Sequence, residues 1–288
     1  MSIAELHGKI SSSGSNLSER LEDLLTSDVF GSLRYLPFEE ALIPILENAQ
    51  NYKSENTNLK IKHSVKENNP KIVFWYRLPH SEPDVLIKYG KHLILIEVKY
   101  LHGKSGRYLD SNQQEENIVQ EASSDQLGRE FEDLLEYKKD DFIDRSLVYI
   151  TAHRIIPTTD FEEVEKHFEE KEHKNPDFPK VKGEQFKRNA FWLSWIQIHN
   201  VLVKLSKEQL SKEQPDEFRK EILDDIKKLL FKKGLRRFNS FMELNNPNVT
   251  KCETNIFYQQ RVRTYFHDVI PNVSEIEGDI CYSGVRNG

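Results

Sequence analysis

The sequence predicts an α/β fold in which helices flank a mixed β-sheet, with a mainly α-helical C-terminal part. Three observations carry the prediction. Pro83–Lys99 contains two β-rich runs, Val85–Ile87 and Leu93–Ile96, joined by Tyr89-Gly90-Lys91-His92. Leu147–Thr151 is a short run almost without charge, as expected of a strand buried on both faces and parallel to a neighbour. The candidate elements follow the order helix, helix, strand, hairpin, helix, strand, which suits a sheet layered between helices.

Composition supports a folded, water-exposed chain and narrows what it can bind. With 288 residues it can form one large domain or two small ones. Hydrophobic residues make up 37% and aromatic residues 10%, so neither a disordered nor a membrane class fits. No apolar run approaches the roughly 20 residues that span a bilayer. The start, Met1-Ser2-Ile3-Ala4-Glu5, lacks the charged and apolar regions of a signal peptide. Cys252 and Cys281 stand far apart without His or Cys neighbours at ligand spacing, which argues against a zinc site and makes a cytoplasmic location the default expectation. A net charge of −6 argues against broad, charge-driven nucleic-acid binding by the isolated chain, though not against a local basic groove. A partner or second subunit would then help to hold a polyanion.

Taken in order, residues 1–15 are Ser- and Gly-rich and read as loose. Asn16-Leu17-Ser18-Glu19 has the form of an N-cap with a capping-box Glu. A helix follows to about Phe30, with Leu17, Leu21, Leu24 and Leu25 as its apolar stripe and Gly31 as its stop. Pro37 opens a second helix, Phe38–Ala49, which Pro44 should kink or break early. Leu59–His63 is a possible short strand and Ile72–Tyr76 a better one. Residues 102–121 are polar and read as a long loop able to act as a flap. The helix from about Ser123 to Lys138 carries Leu127, Phe131, Leu134 and Leu135.

Residues 158–185 are dense in Glu and Lys, with Pro176 and Pro179, and read as a charged linker or insertion. Helices are expected beyond it at 188–206 and 216–232, the second ended by Gly234. The expected division is therefore a core over 1–157, a linker over 158–185, and a mainly helical region over 186–288 that acts as a cap or partner-binding part.

The hairpin carries the chemistry. Gly90 at the first central position of a two-residue turn suits type II′, which needs a positive φ there. That turn pairs Tyr89 with His92 and sets Asp84 opposite Glu97. Lys99 falls on the same face as Glu97. Opposed carboxylates destabilise a strand pair, and a cation between them resolves the conflict.

Pro83-Asp84, then Glu97-Val98-Lys99 after the intervening residues 85–96, resembles the PD-(D/E)XK nuclease superfamily, in which this pattern sits on such a hairpin. The resemblance covers roughly residues 17–152 and implies a restriction-endonuclease-like fold. It also implies hydrolysis of phosphodiester bonds in DNA, with Mg²⁺ as cofactor and Mn²⁺ able to substitute. Asp84, Glu97 and the backbone carbonyl of Val98 are then the expected metal ligands, since Mg²⁺ prefers oxygen donors. Lys99 is expected to act on the water or the phosphate; the bland alternative is an ion pair with Glu97.

Members often add an acidic residue from the first helix. Glu22 is the first candidate for the metal and Glu39 the second, against a solvated face for either. Gln126 matches a Gln that some members place on the helix after the hairpin, with Arg129 as a possible backbone contact. Gln126, Arg129 and Glu130 share one helix side, and an exposed Arg129–Glu130 pair is the bland alternative. His153 and Arg154 follow the strand Leu147–Thr151, where a structural histidine is as reasonable as a functional one.

The resemblance further suggests an endonuclease of a prokaryotic defence system against foreign or viral DNA. An ATPase or helicase partner is then a possible companion and a homodimer a possible means to cut both strands; no membrane contact is expected, from the lack of a membrane-length apolar run. The rival readings are a non-catalytic nucleic-acid-binding or scaffolding subunit that keeps the fold, and an RNA-directed nuclease.

Other apparent signals weaken on inspection. Gly103-Lys104-Ser105 lacks the Gly that a phosphate-binding loop needs five positions earlier, where Val98 stands; Lys104 and Arg107 fit better as loop contacts to phosphate. The run Lys227-Lys228, Lys232-Lys233, Arg236-Arg237 reads either as a nucleic-acid contact or as a solvated helix face and C-terminal end. Trp192 and Trp195 read as core.

Overall fold

A computed structural model of the chain describes Ala4, His7 and residues 17–54, 56–62, 70–100, 126–174, 181–211 and 214–237. The expected flap at 102–121, with Lys104 and Arg107, lies outside them, as do both cysteines and the tail beyond Arg237.

The architecture is α/β, built on a six-stranded mixed sheet. In chain order the strands are β1 (Gln50–Asn51), β2 (Lys71–Phe74), β3 (Val85–Tyr89), β4 (His92–Lys99), β5 (Asp144–Thr151) and β6 (Ala190–Ser194). They lie side by side as β1-β6-β5-β4-β3-β2. The meander β2-β3-β4 is antiparallel, β4, β5 and β6 run parallel, and β1 returns antiparallel on β6. The hairpin register is the one expected, with Tyr89 paired to His92 and Val85 to Ile96. Gly90 has φ 55° while Lys91 has no positive φ, in keeping with a type II′ turn.

The helices α1 (Leu17–Leu33) and α2 (Leu42–Leu46), with α6 (Trp195–Leu210) and α7 (Glu217–Lys232), belong to one core. It contains Leu25, Phe30, Ile45, Trp195 and Leu202 together with Val85, Ile87, Ile94 and Ile96 of the sheet. The opposite face, with Leu86, Leu93, Leu95, Leu147 and Tyr149, belongs to a second core. There it meets α3 (residues 126–136), α4 (Thr158–Lys174) and α5 (Val181–Asn189). Alternate strand residues thus serve opposite cores, as the period of two requires.

Several expectations change. Helix α1 continues through Gly31, which is buried, to Leu33. The expected helix Phe38–Ala49 breaks at Ala41, between a 3₁₀ turn at Phe38–Glu40 and α2. Pro44 sits in the first turn of α2, where a missing N–H costs little. Leu59–His63 is not a strand among its described residues; Asn58 bridges Gln50, and Leu59 and Ile61 pack in the core.

The segment 158–185 is not a linker over its described residues. Helix α4 buries Phe161, Val164 and Phe168, and α5 buries Phe186. The division at 157 and 186 therefore fails: Met1–Arg237 forms one compact unit.

The helix expected over 188–206 begins later. Residues 190–194 form β6, every residue of which is buried. Ser194 then caps α6 in a reciprocal capping box with Gln197. Helix α7 ends as expected: Gly234 takes φ 76°, and the Leu235 N–H donates to the Leu230 carbonyl. No helix among the described residues is long and apolar enough to cross a membrane.

Candidate active site

The site forms at the end of β4, on the face that carries the second core. Asp84 lies one residue beyond the paired end of β3 and is buried. Its Oδ2 accepts from the Val98 N–H at 2.8 Å and its Oδ1 from the Trp75 indole N–H at 3.2 Å. The chain reaches this position through a tight backbone contact, since Trp75 has φ 45° and donates its N–H to the Asp84 carbonyl at 3.1 Å. A positive φ at a bulky non-Gly residue is strained. Trp75 thus anchors Asp84 twice, a role that sequence reasoning missed. Replacing it by Phe removes the indole donor and part of a buried ring, and about 2 kcal/mol of stability should be lost in urea denaturation. An unchanged midpoint would show that the bond is idle.

Glu97 is 2% exposed. Its Oε1 accepts from Lys99 Nζ at 2.7 Å and from Gln126 Nε2 at 2.8 Å. Two residues apart on one strand, Glu97 and Lys99 share a face. Gln126 of α3 donates also to Glu130 Oε1 at 3.0 Å, one helical turn on. Glu22 of α1 reaches the same end of the sheet: Oε1 accepts from Lys99 at 3.1 Å and Oε2 from the Tyr100 N–H at 2.9 Å.

Glu39 is elsewhere, accepting from the Tyr89 hydroxyl at the turn end of the hairpin. Of the two acidic candidates, Glu22 is therefore the one beside Lys99. The structure brings Asp84, Glu97, Lys99, Gln126 and Glu22 into one cluster.

Glu130 is the unexpected member. It is wholly buried, not part of an exposed pair with Arg129, and its Oε2 has no hydrogen-bond partner. Its spacing from Gln126 was visible in the sequence, but its burial depends on how α3 packs. Tyr149, Asp160 and Glu163 were also missed. They line a cleft of about 10 Å³ with Glu97, Lys99 and Gln126, room for about one water-sized occupant.

The electrostatics follow from four carboxyl groups, Asp84, Glu97, Glu130 and Glu22, in a cluster with one ammonium, that of Lys99. Burial, with the charge of Glu97 added, pushes the Asp84 carboxyl well above its ordinary range. Burial and Glu97 do the same to Glu130. Burial also raises Glu22, outweighing the pull of Lys99. Burial disfavours the charged form of Lys99, but Glu97, Glu22 and Asp84 more than offset it and hold its pKa well above normal. The cluster has more carboxyl groups than its one ammonium can balance as anions, which is why burial and mutual repulsion favour their protonated forms.

The donor chemistry suits a hard divalent cation. Mg²⁺ is commonly held by one or two carboxylates with waters completing its shell, and Asp84 and Glu97 provide the pair. Among the described residues no three His, Cys, Asp or Glu side chains group closely enough to hold a metal by themselves. Glu22 holds Lys99 and the Tyr100 N–H instead of closing such a ring.

His153 stands two residues past Thr151, the partner of Lys99 in the β4–β5 register. Its Nδ1 lies 3.1 Å from Thr151 Oγ1, and Arg154 is exposed. Much of the basic run is engaged inside the molecule. Lys227 and Lys228 pair with Asp224 and Asp225, Lys233 lies over the Tyr100 ring and Arg236 over Phe231. Trp192 and Trp195 are core residues, as expected. No protein-family model, no curated protein and no solved structure matches the chain.

Proposed function

We propose that the chain is a metal-dependent nuclease of restriction-endonuclease-like fold that hydrolyses phosphodiester bonds in DNA. The observation that carries the reading is the convergence of Asp84, Glu97 and Lys99 at one hairpin end, in a buried cluster with more carboxyl groups than ammonium groups.

Asp84 and Glu97, with the carbonyl of Val98, would hold Mg²⁺ or Mn²⁺. When bound, the ion supplies Lewis acidity and a lowered pKa for water. Lys99 presents an ammonium to the charge that develops on the phosphoryl oxygens. Glu22 keeps that ammonium at the cluster, and Gln126, tethered between Glu97 and Glu130, orients a water or a phosphate oxygen. Cleavage within a defence system against foreign DNA, beside an ATPase or helicase and as a homodimer, is the setting we infer from the resemblance to PD-(D/E)XK nucleases.

The test is nicking of supercoiled plasmid by the purified chain with Mg²⁺ and with EDTA. Nicking should require the cation and fall about 10³-fold in Asp84→Ala. Nicking that persists in this variant would assign the activity elsewhere. A wild-type chain that never cuts DNA or RNA would favour a non-catalytic subunit, and cutting of RNA alone an RNA-directed nuclease.

A further inference from the structure

A cavity of about 690 Å³ opens at the other end of the sheet, by the first residues of β4 and β5. His92 marks this end and Lys99 the other, so at about 3.3 Å per residue the two sites are about 23 Å apart. The volume falls within the range of small-molecule sites, about 300–1,000 Å³.

Its lining is unlike the rest of this acidic chain. Lys60, Lys139, Arg145 and Lys182 face it against two acidic residues, Glu136 and Asp144. The Arg145 guanidinium is committed to the carbonyls of Leu134, Tyr137 and Lys138. Asp144 pairs with Lys62, and Lys182 lies 3.9 Å from Glu136. Lys60 and Lys139 thus remain as exposed ammonium groups at the cavity.

Two ring walls, Phe142 and Phe191, and the side-chain amides of Asn58, Gln185 and Asn189 complete the relevant lining. On the wall His92 is 4% exposed; its Nε2 lies 2.9 Å from Ser146 Oγ, and its Nδ1 is buried without a partner. Burial depresses its pKa to about 4, so the ring is neutral near pH 7.

We propose that this cavity binds a free mononucleotide, its phosphate held by Lys60 and Lys139 and its base placed between apolar rings and side-chain amides. Lysine is a mobile point charge suited to phosphate. Aromatic walls accept the face of a base, and Asn and Gln can both donate to and accept from its edge. The proposal does not depend on the nuclease reading, since it uses none of the residues of the acidic cluster.

Calorimetric titration of the full chain in EDTA with the four 5′-nucleoside monophosphates tests it, with inorganic phosphate and the matching nucleosides as separate arms. At least one monophosphate should bind more tightly than either its nucleoside or phosphate. The doubly substituted Lys60→Glu/Lys139→Glu chain, altered only at exposed positions, should bind it at least tenfold more weakly. The proposal is overturned if no monophosphate binds, if phosphate or nucleoside alone binds as tightly, or if the double substitution has no effect.

Discussion

Lys99→Met is expected to lower DNA cleavage by about 10³-fold and to destabilise the cation-free protein by about 3 kcal/mol at neutral pH. Met keeps most of the stem and removes the ammonium that bonds both Glu97 and Glu22. Glu97, at 2% exposure, would lose the Lys99 donor to Oε1 and keep that of the Gln126 amide. Removing one partner of a buried pair costs more than the pair contributes, because the remaining charge stays desolvated. The loss stays at the low end of what breaking a buried pair costs because the Lys99 side chain is 26% exposed.

Lys99→Arg separates the two roles. A guanidinium keeps the positive charge but not the compact geometry of an ammonium, so folding should be largely retained while cleavage remains impaired. Urea denaturation and plasmid nicking read the two effects. An inactive Lys99→Met chain of wild-type stability would refute the electrostatic account of the cluster.

A second large effect concerns pH. Asp84, Glu130 and Glu22 all have carboxyl pKa values raised in the folded chain. Above the ordinary carboxylate range the unfolded chain has released protons that the folded chain still holds. Folding stability therefore falls as pH rises, by up to about 1.4 kcal/mol per pH unit for each group. The contribution is complete below the unfolded pKa and is lost as pH passes through the folded value. Burial acts in the opposite sense on His92, His167 and His199, whose lowered pKa values make stability rise with pH up to their ordinary value of 6.5.

Comparison with Glu130→Gln cancels the histidines. Gln is permanently neutral, so the variant should lose less stability than wild type between pH 5 and 8 in EDTA. Mg²⁺ at pH 8 should restore stability to wild type and not to Asp84→Ala. Parallel pH curves for wild type and Glu130→Gln would show that Glu130 does not titrate in this window.

The hairpin was the most legible part of the chain because its information is local. Gly90 fixes the turn, strand alternation fixes the faces, and Asp84, Glu97 and Lys99 follow from the register. Glu22 and Gln126 came from the resemblance, and their meeting with Lys99 and Glu97 is a fact of packing. Glu130 was hidden because a Glu one turn after a Gln looks like any solvated helix residue until α3 is laid against the sheet.

At 158–185 the acidic and basic composition obscured a helical stripe, Phe161, Val164 and Phe168, that was present in the sequence. At 190–194 the apolar run Ala-Phe-Trp-Leu-Ser was absorbed into a longer helix. The Ser194-x-x-Gln197 capping box marked the true boundary. Gly31 shows the reverse error. A glycine can lie within a helix at a cost of about 1 kcal/mol, and here it occupies a buried position in α1.

The shortness of the sheet's outermost strands bears on how copies of the chain can associate. β1 has two residues and β2 four, against eight each for the central β4 and β5. Lys71 is an exposed charge at the start of β2. Short outer strands, one of them bearing a lysine, resist edge-to-edge addition and the runaway polymerisation that follows from it. A pair of copies that cuts both strands of a duplex would accordingly be joined through helices or loops, leaving each sheet to end within its own subunit.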